Sequence, residues 1–230
     1  MTLRMGWVAP LWRRLFAEFL GSALLTLVVV GSGIAAQQLS PGNLGLELLE
    51  NALVTGGGLF VLIVIFGPVS GGHFNPVISF ASASAGELSW SEACFYLIVQ
   101  VVGCGGGCVL ADAMYSVPVA LSTKDRASGA HFLSEIVATA GLVLAIFALK
   151  RNGNQRLIAI VVGTYIAAAY FFTSSTSFAN PAITVGRMFS NTFAGIAPSS
   201  APSFIGAEII GGFVGVALLA ALFPPVKELA

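Results

Sequence analysis

The strongest constraint on how this chain folds is a series of six apolar stretches, each long enough to cross about 30 Å of hydrocarbon. They lie near residues 15–36, 48–68, 91–113, 131–150, 156–173 and 203–223. With 57% hydrophobic and 9% charged residues, the chain is much more apolar than an ordinary soluble domain. The sequence therefore predicts an all-α membrane protein with six transmembrane helices, surrounded by the lipid bilayer.

Two shorter apolar segments, each opened by an Asn-Pro pair, interrupt this series. Residues 75–77 read Asn-Pro-Val between the second and third spans, and residues 180–182 read Asn-Pro-Ala between the fifth and sixth. Asn is a favoured N-cap and Pro is favoured at the first helical position, so each pair predicts a helix start. Because neither segment can cross the bilayer alone, both are predicted to be short re-entrant helices.

The two halves of the chain repeat each other. A glutamate inside an apolar span, an Asn-Pro segment, a Gln or Glu, and two glycines four residues apart recur in that order. Outside the Asn-Pro segments, these residues are Glu18, Gln100, Gly103 and Gly107 in the first half and Glu135, Glu208, Gly211 and Gly215 in the second. Glycines at this spacing suit close helix packing, either within one subunit or between subunits.

Three spans per half is an odd number, so the second half must be inverted relative to the first. The sequence predicts one membrane domain over residues 1–230, with a first repeat at 15–113 and an inverted second repeat at 131–223. Both termini then lie on one side of the membrane. That side carries more of the cationic residues, namely Arg4, Arg13, Arg14, Lys150, Arg151, Arg156 and Lys227, whereas Lys124, Arg126 and Arg187 lie on the other.

The positive-inside rule therefore predicts a multi-pass protein of the plasma or inner membrane with both termini in the cytoplasm. The formal net charge is zero, which gives no indication of nucleic-acid binding.

These features resemble the aquaporin and glycerol-facilitator family over roughly residues 15–223. The most specific segment is Ser-Gly-Gly-His-Phe-Asn-Pro at residues 70–76. The family has an Asn-Pro-Ala box in each half, and the first box of this chain has Val in place of Ala. The resemblance implies a passive channel for water and small uncharged solutes that excludes ions, assembled as a homotetramer with one pore per subunit.

The chain departs from the family directly after the second box. The family usually has an arginine there, which narrows the outer constriction, whereas this chain has Ile183. The run at residues 173–182 is similar to that of bacterial members found with arsenic-resistance genes, which also carry an aliphatic residue at this position. Loss of the guanidinium predicts a wider, less polar constriction that passes glycerol-like polyols, urea or metalloid hydroxides such as arsenite.

The predicted pore is built around Asn75 and Asn180, whose side-chain amides would meet near the midplane and donate hydrogen bonds. The segments leading into the two boxes, residues 71–74 and 176–179, are expected to run extended and to turn carbonyl oxygens toward the pore. They include Gly72, His73 and Phe178.

The resemblance adds further site residues. At the outer constriction it places Thr55, Ser177, Ile183 and either Ala168 or Tyr170. It also implies that Glu18 and Glu135 accept hydrogen bonds from the re-entrant loops and hold them in place. The alternative for these two intramembrane carboxylates is a proton relay.

Three further positions each have two interpretations. Arg187 lies four residues beyond Ile183 on the same helical face, so it either restores a cation at the pore mouth or reaches for the membrane interface. His73 is either a pH-dependent gate or a fixed hydrogen-bonding group. Cys104 and Cys108, one turn apart, are either a thiolate pair for a soft metalloid or small buried hydrophobes. The sequence predicts no cofactor and no resident metal.

The sequence favours a channel over two other functions, a secondary transporter and an enzyme. A secondary transporter also uses inverted repeats and broken helices, but no charged cluster that would bind a coupling ion lies near the Asn-Pro segments. The sequence contains neither G-x-S-x-G nor H-E-x-x-H, so the chain is predicted not to be an enzyme.

Overall fold

The structure of the protein is a computed structural model that describes residues 9–223, and over these residues it contains helices and no strands. In chain order the helices are α1 (Leu11–Leu39), α2 (Leu44–Ser70), α3 (Pro76–Ser84), α4 (Trp90–Met114), α5 (Gly129–Arg151), α6 (Ile158–Phe172), α7 (Pro181–Gly186) and α8 (Ala201–Leu222). Single turns of 3-10 helix precede α6 at Gln155–Leu157 and follow α7 at Arg187–Phe189.

The six long helices are apolar and long enough to span a membrane, as predicted. These spans are α1, α2, α4, α5, α6 and α8, and the α6 span includes the 3-10 turn that precedes it. Arg4 and Lys227, which contribute to the predicted charge asymmetry, lie outside the described residues.

The two short helices begin at the Asn-Pro pairs. The side-chain oxygen of Asn75 accepts a hydrogen bond from the N–H of Val77 at 3.0 Å, and that of Asn180 accepts one from Ala182 at 3.0 Å. Each Asn thus caps a helix whose first residue is Pro, where the missing N–H costs nothing. At nine and six residues, both helices are too short to cross the bilayer.

Helix α4 crosses α1 at two glycines that allow backbone contact. A Cβ atom added to Gly107 would lie 1.9 Å from the carbonyl oxygen of Ala23, and one added to Gly103 would lie 2.4 Å from that of Phe19. Any larger residue at these positions would push the two helices apart.

Helix α8 crosses α5 in the corresponding way in the second half. A Cβ atom on Gly211 would lie 2.6 Å from the carbonyl oxygen of Ile136, and one on Gly215 would lie 2.8 Å from that of Ala140. The paired glycines therefore pack helices together within one chain.

The two short helices meet inside the ring of long helices. Both α3 and α7 pack against α4 and α8, and they also contact each other. Helix α2 packs against α1 and α6, and α5 against α6 and α8. This arrangement brings the two Asn-capped helix starts together in the interior of the bundle.

Gly107→Ala should destabilise the protein by about 1–3 kcal/mol, because the new methyl group would overlap the backbone of α1. Its neighbour Gly106 is a matched control, since a Cβ atom there would have no atom of the described residues within 4 Å. Gly106→Ala should leave stability unchanged or raise it by up to about 1 kcal/mol through helix propensity. Equilibrium unfolding in mixed detergent micelles measures both, and equal effects of the two substitutions would contradict the packing described.

The candidate pore

Glu18 of α1 organises the loop that leads into α3. One carboxylate oxygen accepts hydrogen bonds from the hydroxyl of Ser70 at 2.6 Å and the N–H of His73 at 3.0 Å. The other accepts from the N–H of Phe74 at 2.7 Å and the side-chain amide of Gln100 at 2.8 Å. All four donors lie in the protein interior, so this carboxylate satisfies polar groups that no lipid could satisfy.

Glu135 of α5 does the same for the loop that leads into α7. Its two oxygens accept hydrogen bonds from the N–H groups of Phe178 at 2.9 Å and Ala179 at 2.7 Å. Like Glu18, it is fully buried. The structure thus places both glutamates at the re-entrant loops, with consecutive backbone N–H groups directed at one carboxylate.

The expectation that residues 71–74 and 176–179 run extended is wrong. Gly71, Gly72 and Phe74 adopt left-handed φ angles of 95°, 61° and 49°. The second loop repeats this with three left-handed residues, Thr176, Ser177 and Ala179, at 66°, 50° and 48°. In an extended chain successive N–H groups point to opposite sides, so two neighbours cannot share one carboxylate, whereas left-handed residues make them converge.

The two Asn side chains tie the loops to each other. The amide nitrogen of Asn75 donates to the carbonyl oxygen of Ala179 at 2.7 Å, and that of Asn180 donates to the carbonyl oxygen of Phe74 at 2.8 Å. Each amide oxygen already caps its own helix. Since a primary amide has two N–H donors, each Asn keeps one N–H that is not used in these bonds.

Asn75 and Asn180 both line a cavity of about 90 Å³. Ten of the eleven residues predicted to contact solute line it, namely Thr55, Gly72, His73, Asn75, Tyr170, Ser177, Phe178, Asn180, Ile183 and Arg187. Ala168 does not line it and is exposed on α6. Val162, Ile166 and Tyr170 of α6 line the cavity at four-residue spacing, whereas Ala168 lies about 200° around the helix from Tyr170.

The outer part of the cavity combines hydroxyl groups with an apolar side chain. The hydroxyls of Thr55 and Tyr170 lie 3.2 Å apart and form a hydrogen bond between α2 and α6. Ile183 faces the same cavity from α7. The hydroxyl of Ser177 is buried and has no hydrogen-bond partner among residues 9–223. Arg187 also lines the cavity, and its side chain is fully buried.

His73 is held by neighbouring hydroxyl groups. Its two ring nitrogens lie 3.1 Å from the hydroxyl of Ser79 and 3.4 Å from that of Ser82, and its ring packs edge-on against Tyr96. Cys104 and Cys108 are buried free thiols that do not line the cavity.

Two features of the site lie beyond the predicted residues. Lys150, at the end of α5, lines the cavity and forms a 2.5 Å salt bridge with Glu87 in the loop after α3. Glu208 accepts a hydrogen bond from Thr184 of α7 at 2.7 Å. Glu208 and Gln100 occupy matching places in the sequence repeat, and this symmetry could have suggested a role beside the loops for both.

Comparisons with known proteins agree with this geometry. The profile of the Major intrinsic protein family matches residues 7–177. Aquaglyceroporin AqpS of Rhizobium meliloti (strain 1021) is 44% identical over 220 residues, which cover 95% of this chain and 94% of that protein. Lens fiber major intrinsic protein of Homo sapiens is 30% identical over 244 residues, covering 96% and 86%.

The fold is similar to the X-ray structure of the aquaglyceroporin from Plasmodium falciparum. The TM-score is 0.73 at 20% identity, over 96% of this chain and 100% of that one.

Glu18→Gln should destabilise the protein by about 2 kcal/mol, because the new amide would present N–H groups to donors that now meet a carboxylate oxygen. Glu50→Gln is the control, since Glu50 accepts one hydrogen bond, from the hydroxyl of Ser40. It should change stability by less than about 0.5 kcal/mol. Detergent unfolding of both variants checks this, and a Glu18 variant as stable as the control would refute the role given to this carboxylate.

Proposed function

This chain belongs to the major intrinsic protein family, and we propose that it is a passive transmembrane channel for water and small uncharged solutes such as glycerol. The observation that carries the proposal is the meeting of two Asn-capped helix starts, cross-linked by hydrogen bonds, beside one cavity inside a six-helix bundle. The name of the Rhizobium relative, an aquaglyceroporin, supports the same class of solute.

The centre of the pore favours neutral solutes that accept hydrogen bonds. We propose that the remaining N–H groups of Asn75 and Asn180 donate to solute oxygen atoms as they pass. Two helix N-termini, each with roughly half a positive charge about 5 Å from a cation at an effective dielectric near 20, raise its energy by roughly 3 kcal/mol. Loss of hydration in a narrow passage adds the larger part of the barrier to ions.

The outer constriction is proposed to pass solutes larger than water. Ile183 presents no donor and no charge there, while Thr55, Tyr170 and Ser177 offer hydroxyl groups. Ser177 lines the same cavity, and its buried hydroxyl has no hydrogen-bond partner among residues 9–223. Glycerol-like polyols, urea and metalloid hydroxides such as arsenous acid combine small size with several oxygen or nitrogen atoms, so all three classes are candidate solutes.

A channel is favoured over a secondary transporter. Transporters of this kind need a site for a coupling ion between moving halves. Residues 9–223 hold no cluster of three or more His, Cys, Asp or Glu residues that could bind a metal ion. The carboxylates of Glu18 and Glu135 are occupied by backbone N–H groups of the two loops.

We further propose the membrane arrangement that the repeat and the charges predict. The first repeat, 15–113, and the inverted second repeat, 131–223, form one domain, with both termini in the cytoplasm of a plasma or inner membrane. Four such chains form a homotetramer with one pore each. The matching roles of Glu18 and Glu135, and of the two Asn caps, support the repeat.

Stopped-flow light scattering on proteoliposomes tests the function. Water, glycerol, urea and arsenous acid should each enter faster than in protein-free liposomes. Dissipating proton and sodium gradients with ionophores should leave these rates unchanged. Solute entry that requires such a gradient would favour the transporter, and entry no faster than in protein-free liposomes would refute the proposed function.

Ile183→Arg should lower glycerol flux relative to water flux about tenfold, equivalent to about 1.4 kcal/mol of added barrier, because the guanidinium narrows the constriction. Ile183→Leu conserves volume and is the matched control, expected to keep the wild-type ratio. The two rates are measured in the same proteoliposomes. An unchanged ratio in the arginine variant would show that position 183 does not set the size of the constriction.

A further inference from the structure

Arg187 is a buried cation at the outer end of the cavity, and no carboxylate within residues 9–223 forms an ion pair with it. Its side chain is 2% exposed, and it lies in the 3-10 turn that follows α7. We propose that Arg187 supplies the fixed positive charge of this pore, where its guanidinium binds the oxygen atoms of neutral solutes and repels cations. The proposal rests on the proposed function, since it requires the cavity to conduct.

The guanidinium is held in a fixed orientation. Its Nε donates a hydrogen bond to the carbonyl oxygen of Ala194, and its central carbon lies 3.5 Å from the centre of the Phe178 ring. Stacking on an aromatic face together with one hydrogen bond at Nε fixes the plane of the group. Phe178 is itself a cavity-lining residue of the second re-entrant loop.

The terminal nitrogens of Arg187 remain available to solute. A guanidinium has five N–H donors, and Nε carries one of them. The other four donors bind no protein acceptor within residues 9–223. Buried charged groups are normally fully hydrogen-bonded. Four unpaired donors on a residue that lines a cavity therefore point to water or solute as their partner.

Neighbouring charges do not neutralise Arg187. Glu135 is beyond ion-pair distance, and its oxygens accept from the loop N–H groups. Arg126 is also a cation, and its guanidinium carbon lies 5.4 Å from the centre of the same Phe178 ring. Lys124 donates to the carbonyl oxygen of Phe193 at 2.9 Å. Among residues 9–223, no ion pair joins Arg187, Arg126 or Lys124 to a carboxylate, and the nearby Asp112 and Asp125 accept hydrogen bonds from Ser190 and Ser200.

Arg126 differs from Arg187, because its guanidinium binds backbone carbonyl groups of a loop. Its Nε donates to the carbonyl oxygen of Gly195 at 2.8 Å, and a terminal nitrogen donates to that of Phe193 at 3.0 Å. Arg126 does not line the cavity. The two arginines contact one aromatic ring, but Arg187 alone of the two lines the cavity, and its terminal nitrogens bind no acceptor in the described part of the chain.

In this proposal the charge and the apolar surface of the constriction come from different residues, Arg187 and Ile183. It lies four residues beyond Ile183, which is about 6 Å along a helix axis. Solutes would therefore meet a cationic donor first and an apolar side chain next. Two unit charges about 6 Å apart at an effective dielectric near 20 repel enough to slow a cation about a hundredfold.

Urea and the guanidinium ion form a matched pair of probes, because they are planar and similar in size but differ in charge. Entry of each into proteoliposomes is measured for the wild type, for Arg187→Gln and for Arg156→Gln, an exposed arginine in the turn before α6. Arg187→Gln should raise the ratio of guanidinium to urea entry at least tenfold, and Arg156→Gln should leave it unchanged. A ratio in Arg187→Gln equal to wild type, with urea entry retained, would overturn the proposal.

A second variant covers the case in which Arg187→Gln carries no urea. In Arg187→Cys, a thiosulfonate reagent that attaches an aminoethyl group restores a positive charge, and one that attaches a methyl group does not. The proposal expects the aminoethyl adduct to have the lower ratio by at least tenfold, and equal ratios would overturn it. The same reagents on wild-type protein control for Cys94, Cys104 and Cys108.

These measurements separate the two proposals. If wild-type protein admits urea no faster than protein-free liposomes, the channel function itself fails. If wild-type urea entry is fast and the ratio does not depend on the charge at position 187, the channel stands and the role given to Arg187 fails.

Discussion

The structure depends on the rule that a polar backbone group at membrane depth must find its partner within the protein. Two loops without helical structure enter the bundle, and the hydrocarbon of the membrane offers their N–H groups no hydrogen-bond acceptor. Glu18 and Glu135 meet this requirement by each accepting two consecutive N–H groups. The left-handed residues of both loops follow from this, because only such a backbone directs neighbouring N–H groups at one acceptor. Strain of this kind persists where surrounding contacts impose it, and it is commonly found at functional sites.

The same requirement joins the two halves of the chain at their loops. The side-chain oxygen of Asn75 caps α3, and its nitrogen donates to the carbonyl oxygen of Ala179 in the opposite loop. Asn180 caps α7 in the same way and donates to the carbonyl oxygen of Phe74. Each loop thus satisfies a carbonyl of the other. The amide of each Asn still has a donor to offer to the cavity. A solute in the cavity therefore meets donors whose positions are fixed by two helix starts.

Glycine makes this meeting possible by setting how close the long helices lie. Gly103 and Gly107 place α4 in backbone contact with α1, and Gly211 and Gly215 do so for α8 and α5. Glu18 lies on α1 and Glu135 on α5, so these crossings also set the distance from each carboxylate to its loop. Close packing is therefore part of the construction of the pore, through the position of the glutamates.

The sequence by itself determined the six spans, the two Asn-capped helices and the matching places of Glu18 and Glu135 in the two repeats. Length, apolarity, capping chemistry and repetition are visible in the order of residues, without any tertiary contact. Spacing on α6 could not decide between Ala168 and Tyr170, since the end of that helix and its rotation toward the cavity depend on packing against α2 and α5. The backbone of the loops was predicted wrongly for a related reason. Its conformation is imposed by carboxylates 43 to 56 residues away along the chain. The surroundings of Arg187 likewise come from Phe178 and Ala194, and a single sequence gives no measure of the distances between them.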